Sequence, residues 1–115
     1  MIKIKYGPEF YMKRNAWGAP QYIYLDCGPT FDTDYGEVDV NFEFDPDAVE
    51  YVSWDGEITN PEDIVGKIII TDGDYPRDRV EDFRKPLVDY IKKNCLDELC
   101  EYYREIEEEQ KKNDW

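Results

Sequence analysis

Histidine is absent from this chain of 115 residues, and no lysine or arginine stands between Arg14 and Lys67. Without histidine, a nucleophilic cysteine lacks its usual base. Cysteine itself is sparse. Cys27, Cys95 and Cys100 are odd in number and show no CxxC spacing, which argues against a zinc site or a disulfide framework. On a helix Cys95 and Cys100, five apart, would point to different faces, so reduced and mostly buried thiols are the simplest expectation. The seven glycines all stand singly, so no loop is built to cradle phosphate. No apolar run approaches membrane-spanning length, and Met1-Ile2-Lys3-Ile4-Lys5 carries no signal-peptide apolar region. The expectation is a cytoplasmic protein without cofactor or metal.

What the chain has instead is negative charge in one place. Residues 1–20 carry four bases and one acid, residues 21–75 one base and fifteen acids, and residues 76–115 nine bases and twelve acids. The middle section thus matches the whole net charge of −14. Such self-repulsion costs stability, and a positively charged partner explains it more easily than the fold does. Disorder is not the reading, because ten Tyr, five Phe and three Trp accompany the acids.

Ile2, Ile4 and Tyr6 alternate with lysines, and Phe10 and Met12 follow the Gly7-Pro8 turn, which predicts a basic N-terminal hairpin bearing Lys3, Lys5, Lys13 and Arg14. A third strand is expected over Tyr22–Cys27, with Ile23, Leu25 and Cys27 on one face. The clearest strand is Glu37–Asp45. There Val38, Val40, Phe42 and Phe44 take one face, and Glu37, Asp39, Asn41, Glu43 and Asp45 the other. Val49–Trp54 and Glu57–Thr59 flank Asp55-Gly56 as a hairpin. Lys67–Thr71 holds Ile68-Ile69-Ile70 and is placed centrally in the sheet.

From Asp78 the period changes to three and four. Val80, Phe83, Leu87, Ile91, Cys95, Leu99, Tyr102 or Tyr103, and Ile106 form an apolar stripe, Asp78 and Glu81 resemble a capping box, and Pro86 interrupts. Strands first and helix last predict one α+β domain over residues 1–115. Its mostly antiparallel sheet has about five to seven strands, with a C-terminal helix, kinked or split near Pro86, packed on one face. Residues 1–75 are mainly β, strongly acidic from residue 26, and residues 76–112 mainly helical.

Alternate residues on a strand lie about 6.6–6.8 Å apart. Alternate phosphates on one DNA strand advance by about 6.8 Å. Glu37, Asp39, Glu43 and Asp45 therefore present charge at a pitch that a phosphate-binding groove accepts. Asp32 and Asp34 extend the row at one end, Asp47 and Glu50 at the other, and Tyr35 supplies an aromatic anchor within it. Tyr22 and Tyr24, beside Asp26, fit sheet packing equally well. An ordinary solvated face is the competing reading of the acids, although strands are depleted in Asp and Glu. Asp32, Asp34 and Glu43 also match three positions of a calcium loop. Gly36 stands where that loop needs a ligand, and Glu37 where it needs glycine; the match is accidental.

Small, very acidic, without histidine or an active-site motif, the chain resembles in composition and charge layout the DNA-mimic inhibitors that phages and mobile elements direct at restriction or CRISPR enzymes. No stretch carries a family motif, so the resemblance assigns no residue roles. It implies a non-enzymatic inhibitor of a basic nucleic-acid-binding protein, a nuclease or CRISPR/restriction effector, with no direct binding to nucleic acid or membrane. The alternatives are an immunity protein against a basic toxin, a scaffolding protein whose acidic face is merely solvated, and a carboxylate enzyme, which nothing singles out.

Overall fold

The computed structural model describes residues 2–45 and 61–113, the side chains of Pro61 and Asn113 excepted. Among these the chain is α+β, with six strands in two antiparallel sheets followed by two helices. The strands are β1 (Lys3–Tyr6), β2 (Glu9–Arg14), β3 (Pro20–Cys27), β4 (Thr30–Thr33), β5 (Gly36–Phe44) and β6 (Val65–Asp72). The larger sheet runs β1-β4-β5-β6, and β2-β3 form a separate ribbon. A hairpin of the first two strands is therefore not what forms. β1 pairs with β4, setting Lys3 opposite Asp32 and Ile4 opposite Phe31, while β2 pairs with β3. Gly7 sits where a Cβ would collide with the Tyr90 ring, so the Gly7-Pro8 turn is pinned beneath the first helix and feeds the chain from one sheet to the other.

The alternation in β5 is borne out residue by residue. Val38, Val40 and Phe42 are buried and Phe44 half-buried, whereas Glu37, Asp39, Asn41 and Glu43 are exposed. β6 is less enclosed than its isoleucine triplet suggested. Among the described residues it pairs with β5 alone. Ile68 and Ile70 enter the core, while Ile69 remains 49% exposed. The expected hairpin around Asp55-Gly56 lies outside the described residues.

Residues Arg77–Phe83 form 3-10 turns broken at Arg79. α1 (Arg84–Asn94) follows, and Cys95 joins it to α2 (Leu96–Asn113). Pro86 is the third residue of α1, where a missing N–H removes no bond within the helix. Glu81 does not close a capping box on Asp78. Its carboxylate accepts from the Arg84 guanidinium at 2.6 and 3.2 Å. Arg84 also donates to the carbonyls of Val65 and Gly66 at 2.5 and 2.9 Å, tying the start of α1 to the start of β6.

The buried side chains form one cluster. Phe31, Val38, Val40, Phe42, Ile68 and Ile70 of the larger sheet meet Phe83, Leu87, Ile91 and Leu99, and Phe10, Met12 and Ile23 of the ribbon join them. Phe10 bridges the two sheets, with its ring 6.4 Å from Phe42 and 4.8 Å from Phe44.

Candidate functional site

Burying every second residue of β5 forces the others outward, and this is what makes the acidic row. Glu37, Asp39 and Glu43 stand exposed along the strand at about 6.6–6.8 Å per step, with Asn41 between them. Asp32 joins the same face from β4, directly opposite Glu37. Asp45 is exposed just beyond the strand, and its backbone N–H donates to the Ile64 carbonyl at 3.0 Å. Asp34 and Tyr35 are the two-residue turn between β4 and β5. Gly36 closes it with φ of +98°, a conformation that side-chain-bearing residues rarely adopt. The Thr33 hydroxyl accepts from the Tyr35 N–H and donates to the Gly36 carbonyl, which fixes the turn. Asp47 and Glu50 lie outside the described residues.

The larger sheet also brings base to the row. Lys5 on β1 reaches over β4 to pair with Glu37, and this hydrogen bond raises the lysine pKa above its ordinary value. Lys3 stands opposite Asp32, and Lys67 is exposed on β6. The Thr30 hydroxyl donates to Asp39 at 2.7 Å. Glu37 is thus partly neutralised, while Asp39 and Glu43 remain exposed along β5, Asp39 opposite a further acid, Asp72 of β6. No local pattern predicts this, because Lys5 and Glu37 are 32 residues apart. The outward setting of Lys3 and Lys5 was legible from their alternation with Ile2 and Ile4.

At the turn end of the row lies a cleft of about 830 Å³. It is lined by Thr33, Asp34 and Tyr35 of the turn and by Tyr75, Arg79, Asp82, Lys85, Pro86 and Asp89. A run of aromatic rings leads into it from the core. Phe31 packs on Phe83 at 4.8 Å, Phe83 on Tyr75 at 4.6 Å, and Tyr75 edge-on with Tyr35 at 5.5 Å. Phe31 and Phe83 are fully buried, and Tyr35 at the outer end is 54% exposed. The Tyr75 hydroxyl donates to Asp82 Oδ2 at 3.0 Å, and Arg79 Nε donates to the same oxygen at 3.1 Å. Burial, reinforced by that bond, raises the Tyr75 phenol above the usual tyrosine pKa. Tyr75, Asp82 and Asp89 had no role in the sequence reading, since only the fold carries them to Tyr35.

Other features have less shape. Tyr11, Tyr22 and Tyr24 cover the outer face of the ribbon, with ring separations of 5.6 and 6.0 Å. Cys27 is exposed, contrary to the expectation of burial, because an extra residue bulges β3 between Leu25 and Cys27. The bulge brings the ligand atoms of Glu9, Asp26 and Cys27 within 4.8 Å of one another. Two carboxylates and a thiol could hold a cation there, but all three are exposed to water, where such clusters are common without one. Cys27 also borders a shallow hollow shared with Asp39 and Asn41. Cys95 and Cys100 are buried. No helix among the described residues is long and apolar enough to cross a membrane. Comparison with protein-family models, curated proteins and solved structures finds no match.

Proposed function

We propose that this protein is a small non-enzymatic inhibitor that acts in the cytoplasm. It binds the basic nucleic-acid-binding surface of a nuclease or a CRISPR- or restriction-type effector, and occupies that surface as a nucleic-acid mimic. One observation carries the reading: the exposed row of Glu37, Asp39 and Glu43 on β5, in a molecule of net charge −14. Asp32 lies beside the row and Asp34, Tyr35 and Asp45 at its ends, with Asp47 and Glu50 following in the sequence. In this reading the helical segment, which bends or divides near Pro86, covers the inner face of the larger sheet and leaves the outer face to the partner. The field of the acids accelerates encounter with a basic protein and repels nucleic acid and anionic membrane. An immunity protein that neutralises a basic toxin uses the same chemistry and differs only in the partner.

The Lys5–Glu37 pair favours a different reading, a scaffolding protein whose acidic face is simply solvated, because it uses acid to balance base within the molecule. Affinity capture from the source organism's lysate at low salt separates the two. The baits are the wild type and a quadruple variant, Glu37→Gln, Asp39→Asn, Glu43→Gln and Asp45→Asn. All four residues face outward, so the variant keeps the wild-type circular dichroism spectrum. Retention of a nucleic-acid-binding protein by the wild type alone is the expected result. Identical sets of retained proteins on both baits would discard the acidic-face model.

A further inference from the structure

We infer that the outer face of the β2–β3 ribbon is a docking surface for a second copy of this chain. The face has an aromatic middle between two ends of opposite charge. Tyr11 stands opposite Tyr24, and Lys13 opposite Tyr22. Tyr11 and Tyr22 are each 53% exposed, while the alternate residues Phe10, Met12 and Ile23 enter the core. Trp17, 90% exposed, stands on the loop beyond Lys13. The backbone of that loop is fixed, because the Asn15 side-chain oxygen accepts from the N–H groups of Trp17 and Ala19 at 2.9 and 3.0 Å. Three of the six large apolar side chains exposed among the described residues thus belong to the ribbon and its loop, a concentration that marks an interaction surface.

Charge and ring geometry select the occupant. Glu9 and Asp26 are exposed at one end of the face, beside Tyr11 and Tyr24, and Lys13 at the other. None of the three forms an ion pair among the described residues. Four steps of strand, about 13 Å, separate Glu9 from Lys13, so the lysine does not reach the acids of its own ribbon. A second ribbon laid face to face and antiparallel about Tyr11 and Tyr24 brings each Lys13 to Glu9 and Asp26 of the other copy. Such a contact is isologous and closes as a two-fold dimer. The rings suit it. Tyr11 and Tyr24 meet at 67°, and Tyr22 and Tyr24 at 55°. They form no flat platform for a sugar or a base, and offer edges and faces to other rings. Residues 9–27 hold two acids and two bases, so this stretch is spared the repulsion that the acidic middle section imposes on another copy. The acidic row belongs to the other sheet, and the inference stands apart from the function proposed above.

The test is sedimentation equilibrium of the whole chain at physiological ionic strength, from micromolar to millimolar concentration. The contact is small beside ordinary dimer interfaces, so a reversible dimer with a dissociation constant on the order of 10 μM is expected. Tyr11→Thr keeps a strand former and removes the ring at the axis, and should weaken the dimer about ten-fold. Lys13→Glu and Glu9→Lys should each weaken it by a similar factor, because either change sets like charges against one another at both ends. An equimolar mixture of these two variants should dimerise again, since an acidic copy then faces a basic one at both ends. All three positions are exposed, and a wild-type circular dichroism spectrum verifies each fold. A chain that stays monomeric throughout, an assembly larger than two, a dimer indifferent to these substitutions, or charge variants that do not recover on mixing would each overturn the inference.

Discussion

Phe42 and Glu43 are neighbours in sequence and opposites in environment, and the difference sets what each can be made to report. Phe42 is 4% exposed and packs on Phe10 of the other sheet. Truncation to alanine removes a ring from a contact that joins two sheets, so Phe42→Ala should lower unfolding free energy by about 3–5 kcal/mol in urea titrations. A loss near zero would mean that the core closes over the gap. Two other single groups set a limit at alkaline pH. Burial pushes the Cys95 thiol from 9.0 up to about 11. The Tyr102 phenol donates to Glu98 at 2.7 Å, and this bond together with burial lifts it from 10.0 to about 12. Both are neutral when protonated, and the fold keeps them so. Above pH 9 the unfolded chain gives up a thiol proton that the native state retains, so stability falls as pH rises from 9 towards 11. Thermal unfolding followed by circular dichroism should show the midpoint dropping across that window. The drop should be shallower in Cys95→Ala, and an equal slope in that variant would assign the loss to Tyr102 and other groups.

At the scale of elements, Arg84 links what the chain separates. Its guanidinium is shared between Glu81 and two carbonyls at the start of β6, 18 and 19 residues away. Arg84→Met keeps the stem and removes the donors, leaving partly buried carbonyls without them. A cost of about 1–3 kcal/mol in urea denaturation is expected; a cost below about 0.5 would show that water replaces the guanidinium. The elements themselves were unevenly legible. β5 could be read because nine residues alternate without a break, and the helical stripe because Phe83, Leu87, Ile91, Cys95 and Leu99 keep one spacing. β4 could not, since four residues with a single large apolar side chain, Phe31, show no period. Pairing was less legible still. Gly7-Pro8 signals a turn, but nothing local says that β1 passes over its neighbour to reach β4. The Ile68-Ile69-Ile70 run suggested burial on both faces, yet Ile69 points outward from a strand that pairs, among the described residues, only with β5.

Seen whole, the molecule redistributes the charge that its sequence segregates. Lys5 meets Glu37, Arg14 meets Glu105 at 2.8 Å, and Lys92 approaches Glu62 at 3.6 Å, each pair remote along the chain. The acidic row was visible as a composition gap and an alternation. Its partial neutralisation was not, because that depends on which strands become neighbours. The cleft was half legible: Asp34 and Tyr35 stood out for their polarity, while Tyr75, Asp82 and Asp89 reach the same place only through the fold. The bulge in β3 has a practical corollary. Of the three thiols, only Cys27 is open to solvent, and it borders the hollow that contains Asp39 and Asn41. A maleimide dye or a spin label would thus attach to the native protein at one position without engineering. It would sit at the margin of the acidic row, where an arriving partner changes its emission or its mobility.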